Sequence, residues 1–424
     1  MIDIEMIRNE TKKRRENLKR RENTENLKDF DELVKLDEEW RKLTTELQDR
    51  QEKRNKITEQ ISKKKQEGKD AKEEMKKAKE ISKRVDELKE KRDKIWKKFH
   101  KLHMKIPNIL HESVPKGKDD TENKTIREWG EVPDFGFDPK NHVEIAENLG
   151  IADFDKSGEV SGSGFYYLKK DLALLDMALI QFTIDQLKDE FQFIIPPYMI
   201  RRKPYEGVTG FEAFKDMMYK IEDYDLYPIA TSEHSIAAMK MNEVINENNL
   251  PLKLMGFSPC FRKEIGSHGV ETKGIFRVHQ FHKIEQFVFS RPKDSWDIFE
   301  QLIENAENLY KKLKIPYEVK NICTGDMGVV ASKKYDIEAW IPSTNSYKEV
   351  VSCSNCLGYQ ARRLNIKFRE KEGQKPKGYV HTLNSTAIAT GRTMVAILEN
   401  YQTKDGKVKI PKVLRDYMGK EVIG

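Results

Sequence analysis

The chain has 424 residues and a formal net charge of +7, with 35% of its residues charged. That length suffices for a large core plus one accessory domain, no run of about 18 apolar residues exists to cross a membrane, and the N-terminus lacks the apolar stretch of a secretory signal. Four cysteines are too few for a disulfide framework and agree with a reducing compartment, so the expectation is a soluble, cytoplasmic protein without a membrane partner.

The charge excess is local. Residues 1–100 carry 32 Lys+Arg against 25 Asp+Glu, so the whole excess of the chain sits in its N-terminal quarter. Such confinement points to a polyanion touched there, or to the solvated face of a mixed-charge coiled coil. Between Met1 and Pro107 there is no proline and one glycine, Gly68, which is therefore the predicted hairpin tip between long helices. Leu33, Leu36, Trp40, Leu43, Leu47, Ile57 and Ile61 step by threes and fours before it, with Arg50 and Arg54 in two seam positions. Ile81, Val85, Leu88, Ile95, Phe99 and Leu102 repeat the pattern after it, with Arg92 in the polar slot. Two heptad stripes around one turn predict an antiparallel helical hairpin, a coiled-coil arm of residues 1–106. Near its tip Lys63, Lys64, Lys65, Lys69, Lys72, Lys76 and Lys77 cluster where little apolar surface needs burial, a place for a phosphate backbone.

A Pro-, Gly- and Asp-containing connector runs from Pro107 to about Lys140 and opens a second domain, 107–424. A helix is predicted from about Asp171 to Phe191, apolar on one face through Leu172, Leu175, Leu179 and Phe182 and on another through Leu174, Met177 and Ala178. One face needs a core and the other a partner or a second burial within the chain. Predicted strands cover 165–168, 192–195, 253–257, 277–281, 286–289 and 349–352, with connections too short for repeated βαβ crossovers. The fold class is α+β, a mostly antiparallel sheet flanked by helices. Gly162-Ser163-Gly164 reads as a turn, since no Gly-Lys-Ser/Thr follows it.

The most informative stretch is 261–289, FRKEIGSHGVETKGIFRVHQFHKIEQFVF, which reads as two strands joined by a glycine-bearing loop. Arg262 and Glu264 are assigned to the first strand and Arg277, Phe281 and Glu285 to the second. Fixed guanidinium groups, an aromatic face and carboxylates on paired strands suit the holding of a nucleoside triphosphate against a cationic small molecule. This stretch resembles motif 2 of the class II aminoacyl-tRNA synthetases, and HTLNSTAIATGRTMVAILENYQ, 381–402, resembles their motif 3. With Thr231-Ser232-Glu233, KEVVSCSNCLGYQARR at 348–363 and the closing IPKVLRDYMG, the chain resembles the seryl-tRNA synthetases of the bacterial-like type along essentially its whole length.

The resemblance implies a class II catalytic domain that joins L-serine to AMP using ATP and Mg²⁺ and transfers it to the terminal adenosine of tRNA(Ser), with tRNA(Sec) where present. It implies that Arg262 holds the α-phosphate and the reacting carboxylate and that Arg392 reaches the γ-phosphate. Lys263 and Glu264 belong with Arg262 in the ATP segment, Phe281 is the platform for adenine with Arg277 close by, and the backbone at Val278 reads the adenine edge. Glu349 and Ser352, in Glu349-Val350-Val351-Ser352, match the metal and ATP segment. Thr231, Ser232, Glu233, Glu285 and Asn384 surround serine's ammonium and hydroxyl, and either Ser385 or Thr386 closes over its side chain. The arm reaches the long variable arm of the tRNA by shape, the 171–191 helix stands where motif 1 forms a homodimer, and the loop 266–274 orders on ATP or the acceptor end. Its one histidine, His268, reads as solvated. Cys353 and Cys356 have a spacing that permits zinc, but with Cys260 and Cys323 distant in sequence no zinc is expected. The rival readings are a paralogue that charges a carrier protein and a non-catalytic coiled-coil or tRNA-binding protein.

Overall fold

The computed structural model describes residues 1–264 and 274–424 and divides into two compact units, Met1–Pro107 and Asn108–Gly424. None of its described helices is long and apolar enough to cross a membrane. The loop expected to order on ligand binding, with His268, lies outside the described residues except for Gly274.

In the first unit two helices, α1 (Thr24–Gln66) and α2 (Lys72–His103), run antiparallel around Gly68. Gly68 has φ +69°, a left-handed turn that glycine enters without steric cost. The seam is buried at Leu33, Leu43, Leu47, Val85, Leu88 and Phe99, with Trp40 and Trp96 5.2 Å apart. Beyond Leu47 it thins: Ile57 and Ile61 are only half-buried. The sequence pattern missed one thing. The helix does not run back to Met1, because Asn23 caps α1 by accepting from the Asn26 N–H at 3.1 Å and Glu22 turns left-handed at φ +53°. Two short helices, Ile4–Asn9 and Thr11–Lys19, precede it, and Arg8 is tied to the buried Asp37 at 2.7 Å.

The second unit is built on one eight-stranded sheet. In chain order its strands are β1 (Lys124–Trp129), β2 (Gln192–Ile194), β3 (Leu252–Phe261), β4 (Gln280–Ser290), β5 (Tyr317–Asn321), β6 (Lys333–Ile341), β7 (Ser346–Asn355) and β8 (His381–Ala389). They lie in the order β1-β5-β6-β7-β8-β4-β3-β2. All pair antiparallel except β2, which runs parallel to β3. The helices that matter for the site are α3 (Lys170–Leu187), α4 (Ser232–Met239), α5 (Ser295–Leu313) and α6 (Thr390–Asn400). Alternation along β4 divides the sheet into two faces. Ile284, Gln286 and Val288 face the main core with α3, α5 and α6, as the Gln286 side chain donating to the Leu302 carbonyl at 3.1 Å shows. Phe281, Lys283, Glu285 and Phe287 face the other way, toward α4.

The predicted strands at 253–257, 277–281 and 286–289 resolve into two long ones, β3 and β4, and the strand at 349–352 is the middle of β7. Of 165–168 only Tyr167–Leu168 is extended, paired with Ala152–Asp153. The predicted helix from Asp171 is α3, and Leu172, Leu175, Leu179 and Phe182 are buried as expected. Of the second face, Leu174 and Met177 are 53% and 57% exposed, whereas Ala178 is buried. Gly162 and Gly164 are both left-handed, as a turn requires.

Candidate active site

A cavity of about 510 Å³ opens on the α4 side of the sheet. Strand alternation alone would not assemble it. On β7, Glu349 and Ser352 are three residues apart and would point to opposite faces. The register shifts between Ile337 and Glu338 of β6, leaving Val350 unopposed. That bulge turns Glu349 to the side of Ser352, and both line the cavity with Val350 while Val351 goes to the core. A second bulge leaves Ala387 unopposed on β8, bringing Thr386 and Ala389 to the same face opposite Glu285 and Lys283.

Two groups of charged side chains meet there. Glu349 lies 3.5 Å from Arg392 at the start of α6, and the Arg392 guanidinium also donates to the Glu349 carbonyl at 2.7 Å. Burial pushes the Glu349 carboxyl up, but Arg392, Lys334 and Arg262 hold it net below the usual carboxylate range. In the second group Glu233 accepts from Gln360 at 2.8 Å and from Asn384 at 3.1 Å, and Glu285 is tied to Lys283 at 2.6 Å and to the Thr386 hydroxyl at 3.3 Å. Burial, and then the charge of Glu285, push the Glu233 carboxyl up to about 7. The Arg262 guanidinium acts on Glu349 and on Glu233 alike, so it stands where both groups can be reached. It rests 5.2 Å over the Phe281 ring, as Arg392 rests 5.0 Å over Phe276.

Most of the sequence-predicted residues converge on this cavity: Thr231, Glu233, Arg262, Glu264, Arg277, Val278, Phe281, Glu285, Glu349, Val350, Ser352, Asn384, Thr386 and Arg392 line it. Four of them are not on strands as expected. Arg262 and Glu264 follow β3, which ends at Phe261, and Arg277 and Val278 precede β4. The chain leaves the ladder through Glu264 at φ +46°, and Arg277 approaches the Glu264 carboxylate at 4.0 Å. Four predicted residues do not line the cavity. Ser232 is buried and donates to the Gly256 carbonyl at 3.1 Å. Lys263 sets its ammonium 5.7 Å over Tyr219. Val351 is core. Ser385, directly opposite Cys353, is fully buried and donates to the Thr386 carbonyl at 3.1 Å.

Lys283, Lys334 and His234 also line the cavity, and none of them stands out in the sequence motifs. Lys283 was findable, since Phe281, Lys283 and Glu285 alternate on one strand. Lys334 reaches the cavity from β6, 2.7 Å from Asp336. His234 is buried behind Glu233, and burial with nearby Lys283 and Arg262 pushes its imidazole down to about 3. The two thiols of the Cys353–Cys356 pair part company: Cys353 reaches the Phe299 carbonyl in the core at 3.8 Å, whereas Cys356 lines the cavity beside Asn384. Among the described residues no three His, Cys, Asp or Glu side chains form a metal cage. A hard cation would instead find the oxygens of Glu349 and Ser352 on one face, a set that suits magnesium shared with phosphate oxygens.

On the arm, Lys63, Lys65, Lys69, Lys72 and Lys76 are exposed near the tip. Lys64 differs: it crosses the hairpin to Glu74 at 2.8 Å.

Residues 1–110 match the family described as the seryl-tRNA synthetase N-terminal domain, and residues 218–401 match the tRNA synthetase class II core domain of the G, H, P, S and T enzymes. The serine–tRNA ligase of Methanospirillum hungatei is 53% identical over 419 residues, covering 99% of each chain. Among solved structures, seryl-tRNA synthetase from Pyrococcus horikoshii complexed with ATP superposes with TM-score 0.95 at 49% identity, over 100% of this chain and 99% of that one. The cytoplasmic serine–tRNA ligase from Naegleria fowleri in complex with AMP gives TM-score 0.91 at 33% identity, over 100% and 98%.

Proposed function

The chain belongs to the seryl-tRNA synthetases, and on that premise we propose how its cavity divides the work of activating serine with ATP and passing it to tRNA. The observation that carries the reading is a cavity wall that holds Arg262 together with the Glu349–Arg392 pair and with Glu233 and Glu285.

In the first step serine's carboxylate oxygen attacks the α-phosphorus of ATP, the bond to the bridging oxygen breaks, and pyrophosphate leaves. Two anions must approach each other, so the barrier is electrostatic and positional. Arg262 holds the α-phosphate and serine's carboxylate together, keeping its charge throughout. Arg392 takes the terminal phosphates, Phe281 and Arg277 hold the adenine, and the backbone at Val278 reads its edge. Glu349 and Ser352 would hold Mg²⁺, which when bound offsets the charge of the triphosphate. Serine's ammonium is received by Glu233, Thr231 and Asn384, and its hydroxyl by Glu285 and Thr386. The geometry favours Thr386 over Ser385, which faces the core. In the second step a hydroxyl of the tRNA's terminal adenosine attacks the acyl carbon and AMP leaves, its phosphate oxygen being able to take the proton.

The arm supplies the tRNA contact through Lys63, Lys65, Lys69, Lys72 and Lys76, and the exposed Leu174–Met177 face of α3 supports a homodimer. A cytoplasmic place of work follows from the translation role. Serine-dependent exchange of pyrophosphate into ATP tests the reading: Arg262→Ala should lower it by about 10²–10³-fold or more. Exchange that survives this change, or that proceeds without serine, would sink it.

A further inference from the structure

Lys283 has no place in the division of work above, yet it is among the most constrained charges in the cavity wall. Its side chain is 7% exposed and that of Glu285 is 2% exposed, and their 2.6 Å ion pair is made between positions i and i+2 on the same face of β4. A pair so deep is expensive to build, because both ions lose their water, and removing one partner strands the other. Both protein contacts to Glu285 fall on a single carboxylate oxygen. The Lys283 ammonium and the Thr386 hydroxyl meet at Oε2, and among the described residues no hydrogen bond engages Oε1. The space over Gly256, which stands opposite Glu285 on β3, is filled from α4: even a Cβ there would lie 2.4 Å from the Ile236 side chain and 2.9 Å from the Ser232 hydroxyl.

A second carboxylate, Glu233, faces the same space, its own oxygen Oε1 fixed by Gln360 and Asn384. Without the Lys283 ammonium the Glu285 carboxylate would lose this anchor and be free to rotate away from the pocket.

We infer that Lys283 is a positioning residue for amino-acid selection: it pins one oxygen of Glu285, so that the other oxygen is presented as a fixed acceptor to the hydroxyl of a small hydroxy amino acid. The inference rests on the serine reading of the cavity. An acceptor held in this way is left buried and unpaired by an amino acid lacking the hydroxyl, which is how polar pockets reject alanine.

The test is steady-state pyrophosphate exchange by the full chain with Lys283→Met, Glu285→Gln and the double variant, alongside ATP binding in the absence of serine as a check on folding. Lys283→Met should raise KM for serine on the order of 10–100-fold, narrow the preference for serine over alanine, and leave ATP affinity within about twofold of the parent chain. Because Lys283 acts through Glu285, the double variant should be no worse for serine than Glu285→Gln alone. Additive losses in the double variant, an unchanged KM for serine, or an equal loss of ATP affinity would overturn the assignment to Lys283. If the parent chain itself shows no serine-dependent exchange, the reading of the cavity fails and this inference with it.

Discussion

Glu233 illustrates how much one carboxyl depends on its surroundings. Its sequence setting, Thr-Ser-Glu at the start of a helix, is that of an ordinary first-turn acid, yet burial and the neighbouring Glu285 push it up to about 7. The sign for ligand binding follows directly. A cationic ammonium prefers the ionised form, which is present above that value and lost as pH falls through it. KM for serine should therefore rise as pH is lowered from 8 to 6, by up to about tenfold per unit below 7, while KM for ATP stays nearly flat. A serine KM constant over that range would refute the assignment of Glu233 to the ammonium. Ser385 and Thr386 provide a second check at this scale. Thr386→Val should raise serine KM by roughly 10–100-fold, since it removes the hydrogen bond to the Glu285 carboxylate and one to a charged group is worth about 1.5–3 kcal/mol; Ser385→Ala should change KM less than twofold by that reasoning and act instead on stability. The reverse ranking would mean that the β8 bulge does not set the pocket as described.

Among the elements, the bulges on β7 and β8 and the arm carry the most. Each bulge converts a spacing of three into a shared face, which is why Glu349 and Ser352 line one cavity and why Thr386 and Ala389 share its wall. The arm shows the opposite economy: its seam is well buried at Leu43, Leu47, Val85 and Leu88, and the distal stretch keeps charge in place of packing. Converting the exposed Lys63, Lys65 and Lys76 to alanine should weaken tRNA charging, lower the slope of log affinity against log salt by about 0.7–0.9 for each phosphate no longer neutralised, and leave pyrophosphate exchange untouched. Lys64→Ala, which removes the bridge to Glu74, should cost stability at the tip as well. Unaltered salt dependence in the triple variant would place the RNA elsewhere.

For the whole molecule, the exposed apolar face of α3 and the division into arm and catalytic unit give the remaining expectation. Leu174→Glu with Met177→Glu should shift a dimer toward monomer in sedimentation without unfolding it, since neither side chain is part of the core; a monomer at the start would refute the dimer. The sequence by itself determined a great deal here. Helical period, a single glycine and the absence of proline specify the hairpin because they are local properties of the chain. The family resemblance was legible in side chains that chemistry forces to be Arg, Glu, Phe or Thr. The ends of β3 and β4 that left Arg262, Glu264 and Arg277 off the ladder, the placing of Thr386 rather than Ser385 in the cavity wall, and the meeting of Lys283 and Glu285 with Thr386 across two strands were decided only by tertiary structure. The physical reason is common to all three: each depends on where one strand meets another, and a one-residue shift in register reverses the face a side chain presents without leaving a mark in local composition.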